Sequence, residues 1–167
     1  MGRMVHRLAL APLVLILALI TTGDGHASHY RFSRIELVTR AEQRVLTRAG
    51  INDTRELLSW TASKRRRAWL AETTGLAYER LGTLATQCDL LRVDGVGPSM
   101  VEAFQQAGVR TTSDLAHAAP EELLTRLQAA TAGTSLRYRL PTEDTLGTWI
   151  DYARHLRPLV EDLPPAP

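Results

Sequence analysis

Cysteine is almost absent from this chain of 167 residues: Cys88 stands alone. A lone cysteine excludes an internal disulfide, so the fold must hold by packing and hydrogen bonding. Lysine is as scarce, Lys64 being the only one, and arginine carries nearly all the positive charge. The net charge is +2, too even a balance to predict a nucleic-acid binder by itself. Aromatic residues make up only 5%. No apolar run reaches the roughly 20 residues of a membrane span. The longest, Leu8 to Ile20, has 13. Local signatures of catalysis are also missing. His29, His117 and His155 show no metal spacing, and there is no Ser-His-Asp, zinc or phosphate-loop pattern.

What is present suits a folded protein. Hydrophobic residues make up 44% and charged ones 23%, enough apolar material for one ordinary domain or two small ones. The amino end is built differently from the rest. Arg3, His6 and Arg7 precede the apolar run, and "TTGDGHAS" follows it with small residues at Gly25 and Ala27. A basic start, an apolar middle and a small-residue exit form the pattern of a secretory signal peptide. Cleavage is expected after Ala27, giving a mature chain from Ser28 that is exported to the periplasm or the extracellular space. The alternative is an uncleaved segment that anchors the protein to a membrane. No membrane span is expected after cleavage.

The mature part repeats itself. Displaced by 58 residues without a gap, residues 35–75 fall on 93–133, pairing Val38 with Val96, Gly50 with Gly108, Thr54 with Thr112 and Leu57 with Leu115. A gap-free match of glycines and apolar positions marks an internal repeat. Each copy reads as helices. In the first, one helix is expected from about Phe32 to Ala49, closed by Gly50. A short one opens on an Asp53/Glu56 capping box, a third runs from Ser63 to Gly75, and a fourth from about Ala77 to Arg92. In the second, Pro98 starts a helix that ends at Gly108. A short helix follows near Ser113, another starts at Pro120, and Thr142 caps a last one that Arg157-Pro158 stops. Residues 158–167 form a Pro-rich tail, of which "EDLPPAP", residues 161–167, is expected to be disordered. One core is expected to serve both copies, since neither alone has much apolar surface.

At "LLRVDGVGPSMVEAFQQAGV" the pattern of helix, Gly-Val-Gly turn and helix resembles a helix-hairpin-helix motif. More broadly, "LTRAGINDTRELL", "RAWLAETTG", "CDLLRVDGVGPSMVEAFQQAGVRTTSDLA" and "TWIDYARHL" resemble the domain of unknown function 4332 family, whose members pair two such units. The resemblance covers nearly all of residues 30–157. It implies an all-α fold of two tandem units packed as one helical domain: a degenerate unit over 28–92 and a fuller one over 93–157. It implies no established activity.

A turn of this kind can expose successive backbone N–H groups at a helix start and hold a phosphate. The candidate residues are Gly95, Val96, Gly97 and Ser99, with Arg92 and Arg110 as nearby cations. The competing reading is structural: the glycines let two helices approach, and Val96 plugs the core. In the first copy Leu37 and Thr39 replace the two glycines, so that turn should be structural only. Glu102 would repel a phosphate backbone, and scarce basic contacts mean weak binding. Elsewhere, the run Lys64 to Arg67 between Trp60 and Trp69 could meet bases or lipid headgroups. The plainer expectation makes the tryptophans core anchors and the arginines a solvated face. Cys88 falls on an apolar helix face, where thiols are usually inert.

These residues lead to an exported, non-enzymatic binding or scaffold module, with no cofactor, no metal and no small-molecule substrate. Its expected partner is a protein of the cell envelope or outside the cell. Weak, sequence-independent DNA binding through the Gly95-Val96-Gly97 hairpin is the alternative.

Overall fold

A computed structural model describes residues 29–132 and 139–161, and the expected signal peptide lies outside these described residues. Among them the chain is all-helical, apart from one isolated antiparallel bridge between Arg31 and Asp53. A 3-10 turn at Phe32–Arg34 leads into α1 (Arg40–Arg48), α2 (Thr54–Thr61), α3 (Lys64–Thr74) and α4 (Tyr78–Leu90). The second half holds α5 (Pro98–Gln106), α6 (Thr112–Ala116), α7 (Pro120–Thr131) and α8 (Glu143–His155). The repeat is visible in the element bounds. α1 and α5 differ by 58 residues at both ends, and α2 and α6 begin 58 apart. α4 and α8 have the same length but lie 65 apart, because the segment after α7 is longer.

Local chemistry places these boundaries. α1 and α5 both end in a left-handed glycine, Gly50 at φ 81° and Gly108 at φ 79°. Past it, Ile51 N–H bonds Leu46 C=O at 2.9 Å and Val109 N–H bonds Phe104 C=O at 2.8 Å. This is the Schellman closure, with its apolar contact formed by buried residues in both copies. α2 opens on Asp53, whose carboxylate accepts Glu56 N–H at 2.8 Å. α6 opens on a full capping box between Thr111 and Asp114.

The first helix departs from expectation. It begins at Arg40, eight residues later than the apolar spacing suggests, because Thr39 is its N-cap. Thr39 Oγ1 accepts Glu42 N–H at 3.2 Å, and the Glu42 carboxylate accepts Thr39 N–H at 2.7 Å. The Thr-x-x-Glu box outweighs a periodicity that Phe32 and Ile35 only mimic. Phe32 is instead held by its own N–H, which bonds Asn52 C=O at 3.2 Å.

The core also departs from expectation, because it is two clusters rather than one. Phe32, Leu46, Leu57, Leu70, Leu81 and Leu84 lead the first. Val93, Val96, Phe104, Leu115, Leu127 and Ile150 lead the second. α4 serves both, with Leu84 and Cys88 in one and Leu90 in the other. Polar contacts cross between the halves. Gln87 Nε2 donates to Gln105 Oε1, and Gln105 Nε2 donates to Thr86 Oγ1, each at 3.1 Å. At the end of α4, Asp89 is 1% exposed. Its Oδ2 accepts Thr112 N–H and Thr112 Oγ1–H, both at 2.8 Å, and its Oδ1 pairs with Arg92 at 2.6 Å. Arg92 in turn donates to Arg157 C=O at 3.1 Å. A buried carboxylate is tolerated when its lone pairs are met in this way.

The carboxyl-terminal segment is a strap as far as residue 161, the first residue of the stretch expected to be disordered. Val160 packs on the first cluster, and Glu161 N–H bonds Ala62 C=O at 2.8 Å. The Glu161 carboxylate accepts Lys64 N–H at 3.2 Å, capping α3 where Ser63 makes no side-chain cap bond. Buried Arg67 donates to Glu161 C=O, and its guanidinium stands 5.1 Å from the Tyr78 ring centre. The strap stays put because its backbone groups find partners on α2 and α3.

Two predictions follow from these contacts. Asp89→Ala strands Arg92 and the Thr112 donors, and should cost about 3–5 kcal/mol in urea denaturation. Asp89→Asn, which keeps the shape and part of the bonding, should cost less. Separately, two Arg80 contacts to Glu42, at 2.7 and 3.1 Å, hold its carboxyl at about 2 instead of 4.5, against the opposing effect of burial. A group depressed on folding contributes fully above its unfolded value and loses that contribution as pH falls through the folded one. The unfolding midpoint should therefore drop between pH 4.5 and about 2, and Glu42→Gln should flatten that part of the curve.

Candidate functional site

The Gly-Val-Gly turn joins α4 to α5, and its three residues have separate jobs. Val96 is fully buried in the second cluster. Gly95 has φ 82°, a left-handed conformation that side chains resist. A Cβ there would also lie 3.0 Å from Trp149 Nε1 on α8. Trp149 is half-buried and meets Phe104 edge-on, ring centres 6.0 Å apart and planes at 85°. Gly95 thus makes room for an indole that closes the second cluster. Gly97 differs. It is the N-cap of α5 at φ −97°, and a Cβ there would meet nothing within 4 Å.

The first copy makes its turn without glycine. Leu37 and Thr39 stand at the equivalent positions, and Arg80 NηH2 donates to Leu37 C=O at 3.0 Å. Arg80 also grips Glu42, which belongs to the Thr39 capping box. An arginine clamp there does the holding that the Gly95 contact with Trp149 does in the other copy.

The structure gathers four of the six candidate phosphate residues on one turn: Gly95, Val96, Gly97 and Ser99. The two arginines do not join them. The Arg92 guanidinium is turned to Asp89 and to Arg157 C=O. Arg110 follows the other end of α5, whose nine residues span about 13 Å. A groove of about 400 Å³ opens beside the α5 start, lined by Arg34, Glu36, Gln87, Ser99 and Glu102. Among the described residues that line it Arg34 is the one cation, and Glu36 and Glu102 offset it. Arg34 is the repeat counterpart of Arg92, a relation legible in the 58-residue displacement.

Most of the basic run is the expected solvated face, but Arg67 and Trp69 lie opposite to expectation. Positions 67, 70 and 74 of α3 turn inward, so Arg67 and Leu70 are both fully buried. Lys64, Arg65 and Arg66 are exposed, and Trp69 on the outer stripe is 50% exposed. Trp69 stacks on the half-buried Trp60 of α2, ring centres 5.0 Å apart and planes at 24°. The Arg66 guanidinium stands 5.8 Å from the Trp60 ring centre and donates to Ser59 C=O at 3.1 Å. Arg65, Arg66 and Ser63 border the pair in a shallow depression. The register that buries Leu70 puts Arg67 inside and Trp69 outside.

Cys88, His117 and His155 are each engaged in the fold. Burial, followed by the neighbouring Asp89 and Asp53 charges, pushes the Cys88 thiol far above its ordinary value. His117 Nδ1, at the C-cap of α6, lies 2.7 Å from Ser113 C=O, and His155 Nδ1 lies 2.7 Å from Asp151 C=O within α8. Among the described residues no three His, Cys, Asp or Glu side chains converge on a metal site, and no helix is long and apolar enough to cross a membrane.

Fold and turn define an all-α protein built on a repeated helical pattern. The model of a family described as a domain of unknown function, DUF4332, matches residues 36–156, and the chain belongs to this family. Neither a curated protein nor a solved structure matches it.

The two glycines should separate on mutation. Gly95→Ala combines a left-handed φ with a contact on Trp149, and should lower stability by about 1–3 kcal/mol. Gly97→Thr, which installs the residue of the first copy, should change it by less than about 0.5 kcal/mol, since threonine and glycine are near equals at an N-cap. Thermal unfolding of the two variants measures both.

Proposed function

We propose that this DUF4332 protein is an exported, non-enzymatic helical module that binds a partner in the cell envelope. The observation that carries the reading is the Trp60–Trp69 stack. An indole left half in water adds little to the fold, whereas exposed aromatic residues bordered by arginine are typical of contact surfaces. Export is supported by the basic, apolar and small-residue order of residues 1–27. The non-enzymatic part is supported by the roles of the reactive groups: Cys88 is buried, and Asp53, Asp89 and Asp114 serve as caps and anchors.

A second reading, sequence-independent DNA binding at the α5 start, is favoured by one observation. Nothing inside the fold requires Gly97 to lack a side chain. The Glu36 and Glu102 carboxylates and the engagement of Arg92 weigh against it.

Expression in the native host with a photo-crosslinking residue at position 69 tests the main reading. The expected product is a mature chain beginning at Ser28 that forms an adduct in the envelope fraction. Retention of residues 1–27 in the cytoplasm with no adduct would reject the proposal. If duplex DNA binding at low salt were found and then lost in Gly97→Thr, the second reading would replace it.

A further inference from the structure

We infer that the Trp60–Trp69 pair, with Arg65 and Arg66, seats the protein on an anionic phospholipid surface. This rests on reading the patch as a binding surface and names what it binds. The outward stripe of α3 presents Arg65 and Arg66 in the first turn, Trp69 one turn on, and Glu72 beyond it. Glu72 is the only acidic side chain in α3. The stripe is thus basic and aromatic at one end and acidic at the other. Such an end suits the headgroup layer, where indoles rest and each arginine gains from the negative surface potential.

The geometry of the rings separates this occupant from a nucleic acid. A single strand binds by stacking successive bases on open ring faces. Here one face of each indole is given to the other, 5.0 Å away, and Arg66 stands over Trp60. Little more than the outer face of Trp69 remains for a base. A headgroup layer needs no open face, since it accommodates the indole edge and N–H. The site is also shallow and bordered by cations, as a contact with a broad, negatively charged plane requires.

The test uses the mature chain from Ser28 carrying Trp149→Phe, so that only Trp60 and Trp69 report and the apolar run Leu8 to Ile20 cannot itself enter the vesicles. It is mixed with vesicles of equal phosphatidylglycerol and phosphatidylcholine, with and without brominated acyl chains. The expected result is a blue shift and bromine quenching that are absent on pure phosphatidylcholine. Arg65→Gln with Arg66→Gln should weaken the partition about thirtyfold, at roughly tenfold per 1.4 kcal/mol and about 1 kcal/mol for each arginine. Should Trp149→Phe not fold, the wild-type emission minus that of Trp60→Phe/Trp69→Phe gives the same readout. No quenching, equal quenching on neutral vesicles, or a shift produced only by a single-stranded oligonucleotide would overturn the inference. An envelope-protein adduct at position 69 without lipid quenching would overturn it while leaving the binding surface intact. Absence of both would remove the surface itself.

Discussion

Asp89 is the contact on which the two halves depend. Its carboxylate sits at the end of α4, the helix that serves both clusters, and receives both donors of Thr112 at the start of α6. Through Arg92 it also reaches the backbone at Arg157, beyond α8. One charge, almost wholly buried, thus ties together the end of α4, the start of α6 and the backbone just beyond the last helix. The first half solves the same problem with backbone. Thr54, the repeat partner of Thr112, donates its N–H to Tyr30 C=O at 3.0 Å and accepts Tyr30 N–H at 3.1 Å. A side-chain anion in one copy stands where an extended segment stands in the other.

The two turns show a similar exchange of means. In the second copy, space is the device: a glycine yields its side-chain volume to Trp149. In the first, hydrogen bonding is the device, through Arg80, Glu42 and Thr39. A short helical connection needs its orphan N–H groups satisfied and its flanking helices held close. Neither requirement demands glycine if a capping box and an arginine clamp are available. Loss of Gly-x-Gly in a repeat therefore need not signal a weakened turn.

Much of the fold was legible in the sequence because local chemistry decided it. Gly50, Gly108, Asp53, Thr142 and Pro98 each mark a helix end where physical preference puts one. The start of α1 was not legible from apolar spacing, because Phe32 and Ile35 fall at helical spacing while the Thr39-x-x-Glu42 box sets the boundary. The division of the core was hidden because it depends on how α4 is shared, a tertiary fact. The strap was hidden because its partners, Ala62, Lys64 and Arg67, lie about a hundred residues away in the chain. At the site, the turn residues were legible as neighbours in sequence. The positions of Arg92 and Arg110 were not, since sequence proximity does not say which way a guanidinium points. The exposed tryptophan was missed for a related reason: one residue of register on α3 exchanges Arg67 and Trp69 between inside and outside.

The strap has a mechanical consequence. Tyr30 and Phe32 are bonded to the start of α2, and Glu161 to the end of α2 and the start of α3. Both ends of the described chain are therefore fastened to one helical pair. Tension applied between them would be borne across α2 and α3, and the second cluster would carry none of the load until those fastenings gave way. The second half is in this sense a closed loop hung from the first, shielded from pulling at either end.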